Sequence, residues 1–224
     1  MDLTPAYLQD AYSSKPEAYF ISARTDFVSL LPTSASARIL ELGCGNGATG
    51  ALALGEGKCA QYVGIEMFEP QAREAQQVLT HVHVGDVAKI DLPYASGHFD
   101  ALICSEVLEH LVDPAEILQK LVKLVRPGGI VLASSPNIAH YRIILELIKG
   151  KFDYSDYGAM DRTHLRWFTP DSFRRLFEEA GVNVLALRRP FSSGSRLTRM
   201  QERLPKFLAR LFWYQIEVKG EVRS

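Results

Sequence analysis

Short, nearly unbroken apolar runs alternate along this chain with longer stretches in which apolar residues recur every three or four positions. The runs at 37–42, 60–67, 82–84, 99–105, 128–135 and 182–188 predict strands. Because they are continuous, they predict strands covered on both faces. Helical spacing predicts helices over 46–54, 70–79, 114–125 and 170–180. Two of these open on start signals, Asp113-Pro114 and Thr169-Pro170-Asp171, in which Asp or Thr caps the helix and Pro fits its first turn. Gly181 follows the last one as a stop signal. Strand and helix in alternation predict an α/β fold, a doubly wound and mostly parallel sheet with helices on both faces. The final run, 212–221, predicts a C-terminal antiparallel strand that pairs with 182–188.

Two segments break the alternation. Residues 138–168 are rich in Tyr, His and Asp, while 191–211 place Leu197, Met200, Leu204, Phe207, Leu208 and Leu211 at helical spacing. That second pattern predicts an amphipathic helix broken or kinked at Pro205. No linker or repeat divides the chain, so one domain is expected over 1–224, with cap helices over about 1–32.

Composition narrows the class. With 47% apolar residues and 25 basic against 26 acidic side chains, the chain is neither disordered nor polybasic. It has no apolar run long enough to span a membrane and no signal-like start, and its three cysteines suit neither a disulfide framework nor a zinc cluster. A cytoplasmic location is expected. Charge is uneven: 186–224 carry nine Lys or Arg against three Glu, leaving an acidic body with a basic end. An acidic body speaks against nucleic acid as a partner.

The strongest local signal runs from Ile39 to Gly50, where an apolar strand enters Gly43-Cys44-Gly45-Asn46-Gly47 and a helix follows. Glycines there permit positive φ and close approach of a ligand to the backbone, and the helix start offers unpaired N–H groups. Gly43-x-Gly45-x-x-Ala48 also satisfies the loose dinucleotide-binding pattern. Three features separate the readings. Glu41, inside the strand, would repel a pyrophosphate and attract a ligand carrying an ammonium and a sulfonium. Glu66, ending the next strand, suits the two hydroxyls of a ribose. Asp86, in Val84-Gly85-Asp86-Val87, suits an adenine amino group. Nicotinamide enzymes share only the second of these.

Glu41 to Gly47, Glu66, Gly85-Asp86-Val87, the block 99–111 and Leu124 to Asn137 together resemble the class I S-adenosylmethionine-dependent methyltransferases, over about residues 37–190. The resemblance implies a Rossmann-like sheet, S-adenosylmethionine as methyl donor and S-adenosylhomocysteine as product. By it, Glu41, Gly43 and Gly45 line the donor's methionine end, Glu66 holds the ribose and Met67 packs on the adenine. Asp86 and the Val87 backbone read the adenine's polar edge, and Ser105 meets the amino group. Arg24 pairs with the donor's carboxylate, while Tyr12 and Tyr19 close over it.

Methyl transfer needs alignment, exclusion of water and removal of a proton from the acceptor. His110, in Ser105-Glu106-Val107-Leu108-Glu109-His110, is the candidate base, its ordinary pKa lying near neutrality; the competing role is to close the site through a backbone hydrogen bond. Glu106, Glu109 and His110 fall at i, i+3 and i+4, and such a set suits Mg²⁺, Mn²⁺ or Fe²⁺. Similar arrangements bind a divalent ion in ubiquinone-pathway O-methyltransferases and in small-RNA 3′-end methyltransferases. Metal-free members of the family carry comparable blocks, so the metal stays open.

By the resemblance, 138–168 and 191–211 are insertions that cover the acceptor. Asp161, His164 and Trp167 gather acid, base and an aromatic face suited to a hydroxylated ring, and Tyr19 joins them as a substrate contact. The run Asp161 to Thr169 is similar to bacterial methyltransferases of surface-polysaccharide and nucleotide-sugar pathways, which makes a sugar hydroxyl the leading acceptor. The alternatives are a quinone-like or lipid-linked phenol, reached through peripheral membrane contact by 196–210, and a cofactor-binding protein without turnover.

Overall fold

The computed structural model describes residues 23–190 and 204–224. Helix α1 (Thr25–Leu30) leads into β1 (Arg38–Leu42), α2 (Ala48–Gly55), β2 (Gln61–Glu66), α3 (Glu69–Ala75), β3 (His81–Val84) and β4 (Phe99–Ser105). There follow α4 (Pro114–Val122), β5 (Val125–Pro136), α5 (Tyr141–Ile148), α6 (Pro170–Glu179), β6 (Val182–Arg188), α7 (Lys206–Ala209) and β7 (Gln215–Val222). The seven strands form one sheet in the order β3-β2-β1-β4-β5-β7-β6. Neighbours from β3 to β5 are parallel, whereas β7 runs antiparallel to both β5 and β6.

The predicted architecture is the observed one, with local corrections. Strands β4 and β6 have the expected ends. The last strand pairs with β6 as expected, but it also inserts beside β5, with Ser134 opposite Glu217. The helix expected over 70–79 stops at Ala75. Beyond it Gln77 and Val78 donate to Glu74 and Ala75 in tighter i→i+3 turns, which bring Leu79 into the core. The caps are as read: Asp113 accepts from the Glu116 N–H, and Thr169 exchanges hydrogen bonds with Ser172 in a capping box.

The two irregular segments differ more. Residues 138–168 contain α5, which buries none of its residues. The helix expected over 191–211 lies largely outside the described residues. Its described part is α7 followed by a 3₁₀ turn, Arg210–Phe212, and α7 starts after Pro205, a residue with extended ψ of 140° at the cap position and no N–H to continue a helix. Of 196–210, the expected membrane-facing stretch, everything before residue 204 lies outside the described residues, as do Tyr12, Tyr19 and most of the expected cap region. No helix among the described residues is long and apolar enough to cross a membrane.

Strand alternation splits the core into two layers. Leu40, Leu42, Val63 and Leu102 pack with Leu118 and Phe177 on one face, and Ile39, Tyr62 and Ile103 pack with Phe27, Ala53 and Ala72 on the other. Chain order reverses between β1 and β4, so the crevice beyond their carboxyl ends is where such a sheet accepts a ligand.

Candidate active site

Beyond Leu42 the chain turns at Gly43 and Gly47, with φ of 69° and 85°. A Cβ at Gly43 would stand 2.8 Å from the Val107 side chain, and one at Gly47 2.9 Å from Val78, so both conformation and space demand glycine. The turn aims the Gly45 N–H at the end of β2, where it donates to Glu66 Oε2 at 2.9 Å while the Phe68 N–H donates to Oε1 at 2.9 Å. Each carboxylate oxygen keeps capacity for a further donor. Burial raises the Glu66 pKa despite these bonds. Glu41 is buried on the Tyr62 face of β1 and accepts from the Tyr62 hydroxyl at 2.8 Å. Burial pushes its carboxyl up to about 7, against the pull of that bond and of the Arg24 charge. Two carboxylates short of water favour a cationic, hydroxylated ligand over an anionic one.

These residues open onto one cavity of about 700 Å³. Arg24, Glu41, Gly43, Gly45, Glu66, Met67, Asp86, Val87 and Ser105, separated widely in sequence, all line it. Asp86 also caps its own turn through the Ala88 N–H at 3.0 Å and pairs with Lys89 at 3.2 Å. Arg24 departs from its expected simple role. Its Nε and Nη2 grip Asp26 at 2.9 and 2.8 Å, and Nη2 also reaches Glu217 at 2.7 Å. Its Nη1 donates to the hydroxyls of Ser105 at 2.6 Å and Ser134 at 2.7 Å. All five guanidinium N–H groups are thus engaged within the protein, so an incoming carboxylate would have to exchange with the two hydroxyls. Burial alone would raise the Asp26 carboxyl, but its bonds to Arg24 and Glu217 hold it down at about 2.

The opposite wall holds the candidate chemistry. Past β4, Glu106 has φ of 50°, the only positive value outside glycine among the described residues. That conformation costs about 1–2 kcal/mol, strain of a kind that clusters at ligand sites. The chain then forms a 3₁₀ turn, Leu108–His110. The Glu109 carbonyl accepts from the N–H groups of Leu165 at 2.8 Å and Arg166 at 3.0 Å, which docks the 159–166 loop on this turn. His110 and His164 are thereby brought into edge contact, with ring centroids 4.7 Å apart. His110 Nδ1 meets the Thr163 carbonyl and His164 Nδ1 the Ala159 carbonyl, both at 3.2 Å. A carbonyl only accepts, so Nδ1 carries the proton in each ring and Nε2 the basic lone pair.

Ligand atoms of Glu109, His110 and His164 all lie within 4.8 Å of one another. One carboxylate oxygen each of Glu106 and Glu109 is buried without a hydrogen-bond partner in the structure. Burial, then the Glu106 charge, raises the Glu109 pKa well above its ordinary value, and burial raises that of Glu106. Imidazoles anchored through Nδ1–H to carbonyls, beside starved carboxylates, fit a divalent cation.

Of the expected acceptor contacts, Asp161 and His164 line the cavity. Trp167 does not. Its indole N–H donates to the Ala159 carbonyl at 3.1 Å and its ring packs by Phe152 and Tyr154, so its face is turned to the insertion itself. The sequence did not disclose Glu217 and Tyr62 as partners of the site. The available signal for Glu217 was an acidic residue between the apolar Ile216 and Val218.

A family described as a methyltransferase domain matches residues 15–187. A ubiquinone biosynthesis O-methyltransferase of Chromobacterium violaceum is 28% identical over 174 residues, spanning 73% of this chain and 72% of that one. Another of the same description, from Leptothrix cholodnii, is 26% identical over 79% of this chain and 71% of its own. Among solved structures, an S-adenosylmethionine-dependent methyltransferase from Mesorhizobium loti superposes with a TM-score of 0.63 at 17% identity, covering 89% of this chain and 98% of that one. The glycine-floored, carboxylate-lined crevice thus lies within a family match that spans most of the sequence, and the chain belongs to the methyltransferase domain family as a class I S-adenosylmethionine-dependent enzyme.

Proposed function

We propose that the enzyme methylates a hydroxyl oxygen of a small quinone-like phenol, with His110 as base. The carrying observation is that His110, fixed through Nδ1 by the Thr163 carbonyl, lines the same cavity as the carboxylate-rich crevice. Bound S-adenosylmethionine supplies an activated methyl carbon. Glu41, Gly43 and Gly45 line its methionine end, with Ser105 at the ammonium and Arg24 at the carboxylate. Glu66 takes the ribose hydroxyls, Met67 the adenine face, and Asp86 with the Val87 backbone the adenine edge. The acceptor lies under the 138–168 insertion, against Asp161 and His164. When the acceptor oxygen bonds to the methyl carbon and the carbon–sulfur bond breaks, releasing S-adenosylhomocysteine, His110 Nε2 would take the hydroxyl proton.

The acceptor class is supported by the relatives, named as ubiquinone biosynthesis O-methyltransferases. The sugar alternative loses its stacking surface, since Trp167 faces away from the cavity. A labelled-donor assay with hydroxylated quinols, nucleotide sugars and phenolic lipids tests this. Label is expected on a phenolic oxygen, and label on sugar alone overturns the acceptor reading.

The partnerless oxygens of Glu106 and Glu109 favour a second reading of the same wall. In it, Glu109, His110 and His164 would hold a divalent ion beside Glu106, and the ion's charge would lower the pKa of the acceptor hydroxyl so that its proton leaves to water without a protein base. Loss of turnover on chelation distinguishes this reading from the first.

A further inference from the structure

Glu217 stands in the middle of β7, 1% exposed, opposite Ser134 of β5 and Arg188 of β6. Its Oε1 accepts from Arg24 Nη2 at 2.7 Å and its Oε2 from Arg188 Nε at 3.0 Å. A carboxylate in this position is costly to bury: burial and the neighbouring Asp26 push its carboxyl up to about 7, against the pull of the two guanidinium groups that pair it. Its effect is directional. Asp26 and Glu217 together occupy the Nε and Nη2 side of Arg24, and the guanidinium lies 3.7 Å from the Phe27 ring centroid. Rotation of the head is thereby blocked on one edge and one face. The Nη1 edge is left on Ser105 and Ser134, whose neutral hydroxyls are the weakest acceptors in the set and the ones an incoming carboxylate can replace.

We propose that Glu217 is a positioning residue for the methyl donor: through Arg24 it sets which cationic edge meets the donor's carboxylate, so the C-terminal antiparallel strand helps to read the amino-acid end of the donor. The proposal rests on the reading of Arg24 as the carboxylate partner.

The test compares binding of S-adenosylmethionine with its decarboxylated analogue, which lacks only that carboxylate, by calorimetry on the full chain. The wild type is expected to prefer the carboxylated donor by at least about tenfold, the worth of a charge-assisted hydrogen bond. In Glu217→Gln that preference falls to about twofold or less, with KM for S-adenosylmethionine raised about tenfold, kcat little changed and the analogue bound as before. Equal weakening of both ligands would mean a structural role and overturns the proposal. Arg24→Ala separates the premise: if it keeps the preference, Arg24 does not meet the carboxylate. If Arg24→Ala loses the preference and Glu217→Gln keeps it, the Arg24 reading stands and the positioning role falls. Should Glu217→Gln fail to fold, Arg24→Lys decides, because a lysine keeps the charge but cannot be gripped on one edge while presenting the other. Full preference in Arg24→Lys overturns the proposal.

Discussion

Glu41 couples the protonation of the crevice to the charge of its ligand. With its carboxyl raised to about 7 by burial, it titrates within the neutral range. The stability sign follows from linkage. A carboxyl whose pKa is higher in the folded state favours the fold when protonated, a contribution present at low pH and lost as pH rises through about 7. Donor affinity runs the opposite way, because only the ionised carboxylate attracts the ammonium and sulfonium. The thermal shift given by S-adenosylmethionine is therefore expected to grow from about pH 6 to about pH 8, and Glu41→Gln should flatten that profile. Tyr62→Phe removes the bond that holds Glu41 down. It is expected to move the profile's midpoint upward and to cost about 1 kcal/mol of stability, read from denaturation. Glu41, Glu66 and Asp86 were legible in the sequence because each lies at or just past the carboxyl end of one of the first three apolar runs. Glu217 was not, since its partners Arg24 and Arg188 stand 193 and 29 residues away and meet it only through sheet order.

The wall that carries His110, the proposed base, is assembled from two short elements that neither hold a long helix nor form a strand. The turn Leu108–His110 and the loop around 159–166 are joined by backbone bonds to the Glu109 carbonyl, and the loop is stiffened by Asp161. Asp161 Oδ1 accepts from both the N–H and the hydroxyl of Thr163, at 2.9 and 2.8 Å. Thr163 in turn places its carbonyl on His110. Thr163→Val keeps the shape but removes one of those bonds, at a cost of about 1 kcal/mol. Its expected signature is a several-fold lower kcat with donor affinity unchanged, checked by steady-state kinetics beside calorimetry; weakened donor binding would count against the loop acting on His110 alone. Strands and capped helices were legible because burial on both faces and cap chemistry are local properties. Helix α5 was legible only in part: Tyr141, Ile144, Leu145 and Ile148 recur at helical spacing, but the helix opens without a side-chain cap and buries none of its residues, so neither a start signal nor a core contact sets it apart from the irregular segment around it.

At the scale of the molecule, the reversal of chain order between β1 and β4 divides the cavity into two halves. The ends of β1 and β2 bring the glycine turn, Glu41 and Glu66, while the segment after β4 brings Glu106, Glu109 and His110. The parallel direction of the first five strands followed from alternation, whereas their order and the insertion of β7 between β5 and β6 depended on long-range pairings that short runs do not announce. The division separates donor binding from turnover. Glu66→Ala should weaken donor binding strongly, while chelation or Glu109→Gln should leave it within about twofold. If the second half holds a divalent ion, chelation should lower turnover at least about tenfold and Mg²⁺ or Mn²⁺ should restore it, because loss of a metal removes a charge that nothing else in the wall supplies. Turnover that survives chelation but falls in His110→Ala assigns the proton to His110 instead. The halves also touch directly, Gly43 against Val107 and Arg24 on Ser105, so independence is expected only of variants away from those contacts, such as Glu66→Ala and Glu109→Gln.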